Sequence, residues 1–381
     1  MNMKHKILAG LVASLAATGA FAQSSVTVYG VIDISANYTT NQNKAGDSVL
    51  SLGDSGAIGD PGQGAMSGSR WGLKGEEDLG GGSKAIFKVE SGFTVNNGQS
   101  DQQGQLFGRQ SYVGLSDNNL GQITFGRQYG TMTDVAFDFD PLGVGNYLAN
   151  EWEVFMFGVR FDNTIWYKNT WGPVQLNVQY SLGGQAGSNT IGNTLGSSLK
   201  YNQGPLGLAI AVQQMTDANS NKSTTWSVDG TYNFGPATVF GNYYNLQTDG
   251  GFAKAASLSG GALANTSMFI NNSANTTTRT DNMWVLGLAY NFTPAMTLTV
   301  AYMDDQITQD VVGGGSMKSA YALLEYKLSK RTEVYANIDN ATVSGQAISN
   351  GFNGVATNWA TGATTGQTSA SAFAVGVRTR F

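Results

Sequence analysis

The sequence predicts an all-β fold, a 16-stranded antiparallel transmembrane β-barrel entered after a cleavable leader. Three observations predict it. Segments of about ten residues alternate apolar and polar side chains, the period of a barrel strand with one face on lipid and one on a lumen. Tight turns alternate with long polar loops along the chain. Beyond residue 22, no stretch is long and apolar enough for a membrane helix, which needs ~20 residues.

The leader comes first. Lys4 and Lys6 make a basic start, Ile7 to Ala17 is apolar apart from Gly10 and Ser14, and Ala20-Phe21-Ala22 is a small-x-small cleavage site. That is the pattern of a secretory signal peptide over 1–22, leaving 23–381 as the barrel. The mature chain then has 381 − 22 = 359 residues and a charge of (21 − 2) − 26 = −7. The single histidine, His5, leaves with the leader, so histidine-dependent hydrolysis and histidine metal ligation are absent from the mature chain. There is no Cys for disulfides or thiolate sites. The sequence therefore predicts no enzyme. An acidic chain without a basic patch also gives nucleic acid no footing.

The strands follow in order. In the first, Val26, Val28, Gly30, Ile32 and Ile34 share one face, and Thr27, Tyr29, Val31, Asp33 and Ser35 share the other. Trp284, Leu286, Leu288, Tyr290 and Phe292 repeat the pattern, as do Ala322, Leu324, Tyr326 and Leu328. The last strand sets Phe373, Val375, Val377 and Phe381 against Ala372, Ala374, Gly376, Arg378 and Arg380. Soluble sandwiches alternate too, but charges deep in the polar face suit a wet lumen. Aromatics near strand ends, such as Tyr167, Trp171 and Tyr201, suit membrane interfaces. Short turns such as Glu77–Gly82, Asp117–Gly121 and Trp171–Pro173 oppose long loops over 40–65, 96–104, 129–158, 184–193, 217–222, 249–280, 305–316 and 344–368. Sixteen strands enclose a channel too wide for side chains to fill.

Four segments and the terminal Phe381 carry a resemblance: Ser25–Gly30 (SVTVYG), Ser69–Gly80 (SRWGLKGEEDLG), Phe107–Leu115 (FGRQSYVGL) and Phe125–Tyr129 (FGRQY). In order and spacing the chain resembles the trimeric general porins of Burkholderia-like and Neisseria-like bacteria. The resemblance implies an outer-membrane location in a Gram-negative cell and a homotrimer set in lipid and lipopolysaccharide. It also implies a third loop folded into the pore and passive diffusion of ions and small hydrophilic solutes without a cofactor. The terminal Phe381 is similar to the signal read by the outer-membrane assembly machinery.

Porin selectivity resides in a polar constriction. By the resemblance, Arg70, Arg109 and Arg160 line one wall. Alternation separately puts Arg70 in the lumen with Gly72 and Lys74, because a lipid-facing Arg at mid-depth costs ~2–4 kcal/mol. Lys74 and Lys88 are further lumen candidates. Arg127 shares parity with Ile123 and Phe125, so it faces lipid unless a strand end or bulge re-aims it. The acidic wall is expected from the third loop, with Asp134, Asp138, Asp140, Glu151 and Glu153 as candidates. These acids also make that loop a place for Ca²⁺ or for plain solvation. Where better-known relatives carry a Pro-Glu-Phe-Gly-Gly-like turn, this chain has Pro141-Leu142-Gly143-Val144-Gly145, so Leu142 replaces the acid. Losing that acid while keeping three Arg leans toward anions. A sugar- or organic-anion-specific channel is the alternative. It would need an aromatic slide, for which Trp152, Phe155 and Phe157 are the candidates.

Overall fold

The computed structural model describes residues 24–53, 65–143, 145, 148–253, 261–268, 270–309, 313–345 and 366–381, without the side chains of 148–151. The leader and the side chain of Glu151 lie outside the described residues.

Seventeen strands form one closed antiparallel sheet. They are β1 (Ser25–Thr39), β2 (Val49–Gly53), β3 (Arg70–Gly80), β4 (Ser83–Gly92), β5 (Gln110–Asp117), β6 (Gly121–Tyr129), β7 (Arg160–Trp171), β8 (Val174–Ser181) and β9 (Thr194–Gln203), followed by β10 (Leu206–Thr216), β11 (Lys222–Asn233), β12 (Ala237–Thr248), β13 (Arg279–Thr293), β14 (Met296–Gln309), β15 (Gly315–Lys327), β16 (Thr332–Gly345) and β17 (Ser369–Arg380). They make sixteen staves, because β2 and β3 share one. The upper part of β1 pairs with β2 (Ser35↔Gly53 to Thr39↔Val49) and its lower part with β3 (Ser25↔Glu76 to Val31↔Arg70). The sequence reading placed β2 inside a loop. Its alternation is too short to register, and the next strand in the wall opens at Arg70.

The barrel closes where β17 pairs with β1, from Val31↔Arg380 to Thr39↔Ala372. Phe381 ends this seam, exchanging two 3.1 Å backbone hydrogen bonds with Gly30. Gly30 is needed there, since a Cβ would collide with the Phe381 ring. The predicted faces hold: Val26, Val28, Phe373, Val375 and Val377 point outward and are exposed, while Asp33, Ser35, Asn37 and Ala374 are buried inside.

Two helices fill the connection between β6 and β7: α1 (Thr131–Phe139) and α2 (Leu148–Met156). In α1 the buried Met132, Val135, Ala136 and Phe139 follow i, i+3, i+4, i+7 and form one apolar stripe. That stripe needs an apolar surface, and the inner wall supplies one. Ala209, Ala211, Tyr244, Met283, Val285 and Met303 face inward there and join the same hydrophobic cluster. Charges in the polar face suit a wet lumen, and the structure adds an apolar stretch of inner wall where the third loop lies on it. Gly287 completes the seat, as a Cβ there would run into Pro141 at the loop tip.

Candidate functional site

The helices of the third loop lie against β8–β12 and β15–β16, and the β3–β7 side is lined by charge. On that side Arg109, just before β5, donates through Nε to Glu90 Oε1 at 2.8 Å and through Nη2 to Tyr129 Oη at 3.1 Å. Arg160, opening β7, donates to the same Tyr129 hydroxyl at 3.1 Å and lies 4.6 Å from the ring centroid. One phenol thus gathers two guanidinium groups, accepting at its oxygen and offering its π-face. Arg70 opens β3 on the inward face and lies within electrostatic reach of Arg109, Tyr129 and Glu90.

Below them Tyr29 Oη donates to Glu90 Oε2 at 2.8 Å. Lys74 and Lys88 stand 5.7 and 5.4 Å from the centroid of the Tyr29 ring, and Lys88 reaches Glu90 at 3.5 Å. The structure therefore brings Arg70, Arg109, Arg160, Lys74 and Lys88 to one wall. Five cations face two acids, Glu90 and the buried Asp101 that acts on Arg109, giving 5 − 2 = +3.

Arg127 differs from this group. The β6–β7 register shifts where the single residue of β6 between Gly126 and Gln128 opposes the two of β7 between Phe161 and Thr164; the extra residue lies in β7, where Asn163 has φ of +51°, and Asp162 beside it meets Arg127. Its guanidinium is then saturated by Gly108 O at 2.7 Å, Asp162 Oδ1 at 2.6 Å and Asn265 O at 3.0 Å. Its charge is neutralised by Asp162.

The third-loop acids do not form the expected wall opposite. Asp134 meets Lys168 at 2.6 Å and Lys200 at 2.8 Å, and Asp138 meets Lys200 at 2.7 Å. Burial alone would raise the Asp134 carboxyl, but Lys168 and Lys200 outweigh it and hold it below the ordinary carboxylate range. The pair of acids and the pair of lysines cancel, 2 − 2 = 0. Asp134 and Asp138, two of the acids named for that loop, hold ammonium groups here.

Glu153 is also turned from the pore. It accepts from Tyr244 Oη at 2.5 Å beneath α2 and is 1% exposed. Burial, reinforced by the adjacent Asp140, pushes its carboxyl well above the usual range. Asp140 caps the loop tip, accepting from Leu142 N at 2.9 Å. Trp152 donates Nε1 to Asp305 Oδ2 at 2.8 Å. Trp152 and Phe157 are each 1% exposed, so they anchor the loop and form no aromatic slide. Leu142 packs into an apolar notch of Met66, Leu323 and Tyr335.

Sequence reasoning missed Glu90, Tyr129, Lys168 and Lys200. Lys200 had a signal: Leu195 and Leu199 face out on β9, so Gly196, Ser198 and Lys200 face in.

Comparison with known proteins agrees with this architecture. A sequence model of the Gram-negative porins matches residues 9–346. The chain belongs to that family. It is 30% identical over 365 residues to an outer membrane porin protein of Bordetella pertussis, covering 88% of this chain and 93% of that one. It is 32% identical over 255 residues to outer membrane porin protein 32 of Delftia acidovorans, covering 63% and 68%. Among solved structures, the anion-selective porin from Comamonas acidovorans superposes with a TM-score of 0.71 at 24% identity, covering 94% of this chain and 100% of that one. The trimer form of OmpT of Vibrio cholerae superposes at 0.62 with 16% identity, covering 94% and 99%. This porin is an outer-membrane channel, and its tight turns lie at the periplasmic end.

Proposed function

We propose that this porin passes small hydrophilic solutes passively with a preference for anions, through an eyelet set by Arg70, Arg109 and Arg160. One observation carries the reading: the β3–β7 wall holds a +3 excess, while the third-loop acids Asp134 and Asp138 are cancelled by Lys168 and Lys200. Uncompensated charge in a narrow, partly desolvated passage raises the local concentration of counter-ions. A reversal potential in a salt gradient across a planar bilayer tests this. Anion preference is expected. Replacing Arg70 and Arg109 together with Ser should lower it, and unchanged conductance and selectivity would remove both residues from the eyelet.

The buried Trp152 and Phe157 weigh against a sugar-specific channel, and liposome swelling with a sugar panel should show size dependence alone. Assembly as a homotrimer fits the exposed apolar outer face and the trimeric OmpT neighbour, and predicts conductance steps in threes. Phe381 on the closing seam suits a terminal signal for the assembly machinery, with lipid and lipopolysaccharide around the barrel. The leader over 1–22 predicts that the exported protein starts at Gln23.

A further inference from the structure

We propose that Arg127 is a positioning residue of the eyelet, tying the carriers of Arg109 and Arg160 to each other and to the sixth loop. The inference rests on the reading that those two arginines line the constriction. The sequence repeats Phe-Gly-Arg-Gln at 107–110 and 125–128, and the two arginines do different work. Arg109 joins the basic wall. Arg127 spends its donors on three separate segments.

Those segments are specific. Gly108, whose carbonyl Arg127 Nε reaches at 2.7 Å, directly precedes Arg109. Asp162, at 2.6 Å from Nη1, lies two residues beyond Arg160. Asn265, whose carbonyl Nη2 reaches at 3.0 Å, belongs to the sixth loop between β12 and β13.

The sixth loop in turn grips the stretch bearing Arg160. Asn265 Nδ2 donates to Asp162 Oδ2 at 2.6 Å, and Thr266 Oγ1 donates to Arg160 O at 2.8 Å. Ala262 O accepts from Asp162 N, and Ser267 O accepts from Val159 N, both at 3.1 Å. Gly158 lets this turn approach, as a Cβ there would press on Thr266. The planar fork of an arginine can serve three fixed acceptors at once, whereas a lysine ammonium cannot reproduce that geometry. Arg127 and Asp162 cancel in charge, so their contribution is the spacing of Arg109 and Arg160 about Tyr129.

Position and charge can be separated by sign. Asp162→Asn removes an acid beside a basic wall, so simple electrostatics raises anion preference. Positioning lowers it, because Arg160 loses its fixed place. Asn265→Ala changes no charge, so electrostatics alone leaves selectivity untouched. The full channel is reconstituted in planar bilayers, and reversal potential and open-channel noise are compared with wild type. Heat-modifiable gel mobility confirms the folded barrel, and Asn265→Ala decides should Asp162→Asn not fold. Both variants are expected to lower the anion-over-cation ratio about twofold, the effect of displacing one unit charge by several ångströms, with noisier open levels. A raised anion preference in Asp162→Asn, or wild-type selectivity and noise in Asn265→Ala, overturns the proposal. A wild-type channel without anion preference would instead overturn the functional reading, leaving the change in noise to judge the tie.

Discussion

Lys200 neutralises the third-loop acids, so Lys200→Met should expose them to the pore. Its ammonium is 2.8 Å from Asp134 Oδ2 and 2.7 Å from Asp138 Oδ2, and it also donates to Asp134 O at 2.8 Å. The substitution keeps length and apolar stem but moves this wall from 2 − 2 = 0 to 1 − 2 = −1. One unit charge felt across about 10 Å of pore water is worth ~0.4 kcal/mol unscreened, falling to ~0.3 at 0.01 M salt and ~0.15 at 0.1 M. It acts oppositely on the two ions. The anion-over-cation ratio should therefore fall about 2.7-fold at 0.01 M and about 1.7-fold at 0.1 M. Stripping a buried partner from a carboxylate costs ~3–5 kcal/mol, but Lys168 remains on Asp134 and Asp138 is half-exposed, so about 2 kcal/mol of loop anchoring is expected to go. Reversal potentials at both salts measure the first effect, and open-channel noise follows the second. A wild-type reversal potential at 0.01 M would mean that these acids do not communicate with the pore, and the charge argument for selectivity would fail.

Three further outcomes are expected. Glu90→Gln takes the basic wall from +3 to +4 and should raise anion preference, while losing one of the two oxygens that accept from Arg109 and Tyr29 lowers thermal stability by about 1–3 kcal/mol; an unchanged reversal potential would place Glu90 outside the field of the pore. Gly287→Val should push Pro141 off its seat, at a cost of about 1–3 kcal/mol in overpacking, and lower or destabilise the open conductance. Glu153 has a folded pKa above its unfolded value, so the native state binds the extra proton, and its stabilisation is full at low pH and fades as pH rises toward the folded pKa. Noise from the third loop should accordingly increase as pH rises above the ordinary carboxylate range, and Glu153→Gln should flatten that dependence.

The barrel was legible because lipid imposes a period of two on one face of every stave, and Phe373, Val375 and Val377 obey it against Ala372 and Ala374. The basic wall was legible for a related reason, since an arginine on β3 has only the lumen to face. What alternation could not reveal was pairing across the pore. Asp134 and Lys200 are far apart in sequence and meet only because α1 lies on β9 and β10. The fate of Arg127 depended on a one-residue bulge in β7 at Asn163, beside the Asp162 that pairs with it, and a bulge leaves no mark on composition. The seat of the third loop did leave a trace. In β10 the run Leu208-Ala209-Ile210-Ala211-Val212 is apolar on both faces, which a water-lined stave would not be. Such a run marks where something apolar covers the inner wall.

That trace also explains the departure at the loop tip. An acid at position 142 would have to enter the notch of Met66, Leu323 and Tyr335, where burying a carboxylate without a cation costs several kcal/mol. Leu142 fits the notch, and Pro141 fits against Gly287 beside it. The tip is thus held to the wall by apolar contact, and the change that removes an acid from the eyelet also fastens the loop that shapes it. Selectivity and loop position are coupled at this residue. Leu142→Glu should therefore do two things together: lower the anion-over-cation ratio and loosen the loop, seen as added open-channel noise. A shift in selectivity with a quiet open level would show that the carboxylate is accommodated without leaving the notch, and that Leu142 acts through the missing charge alone.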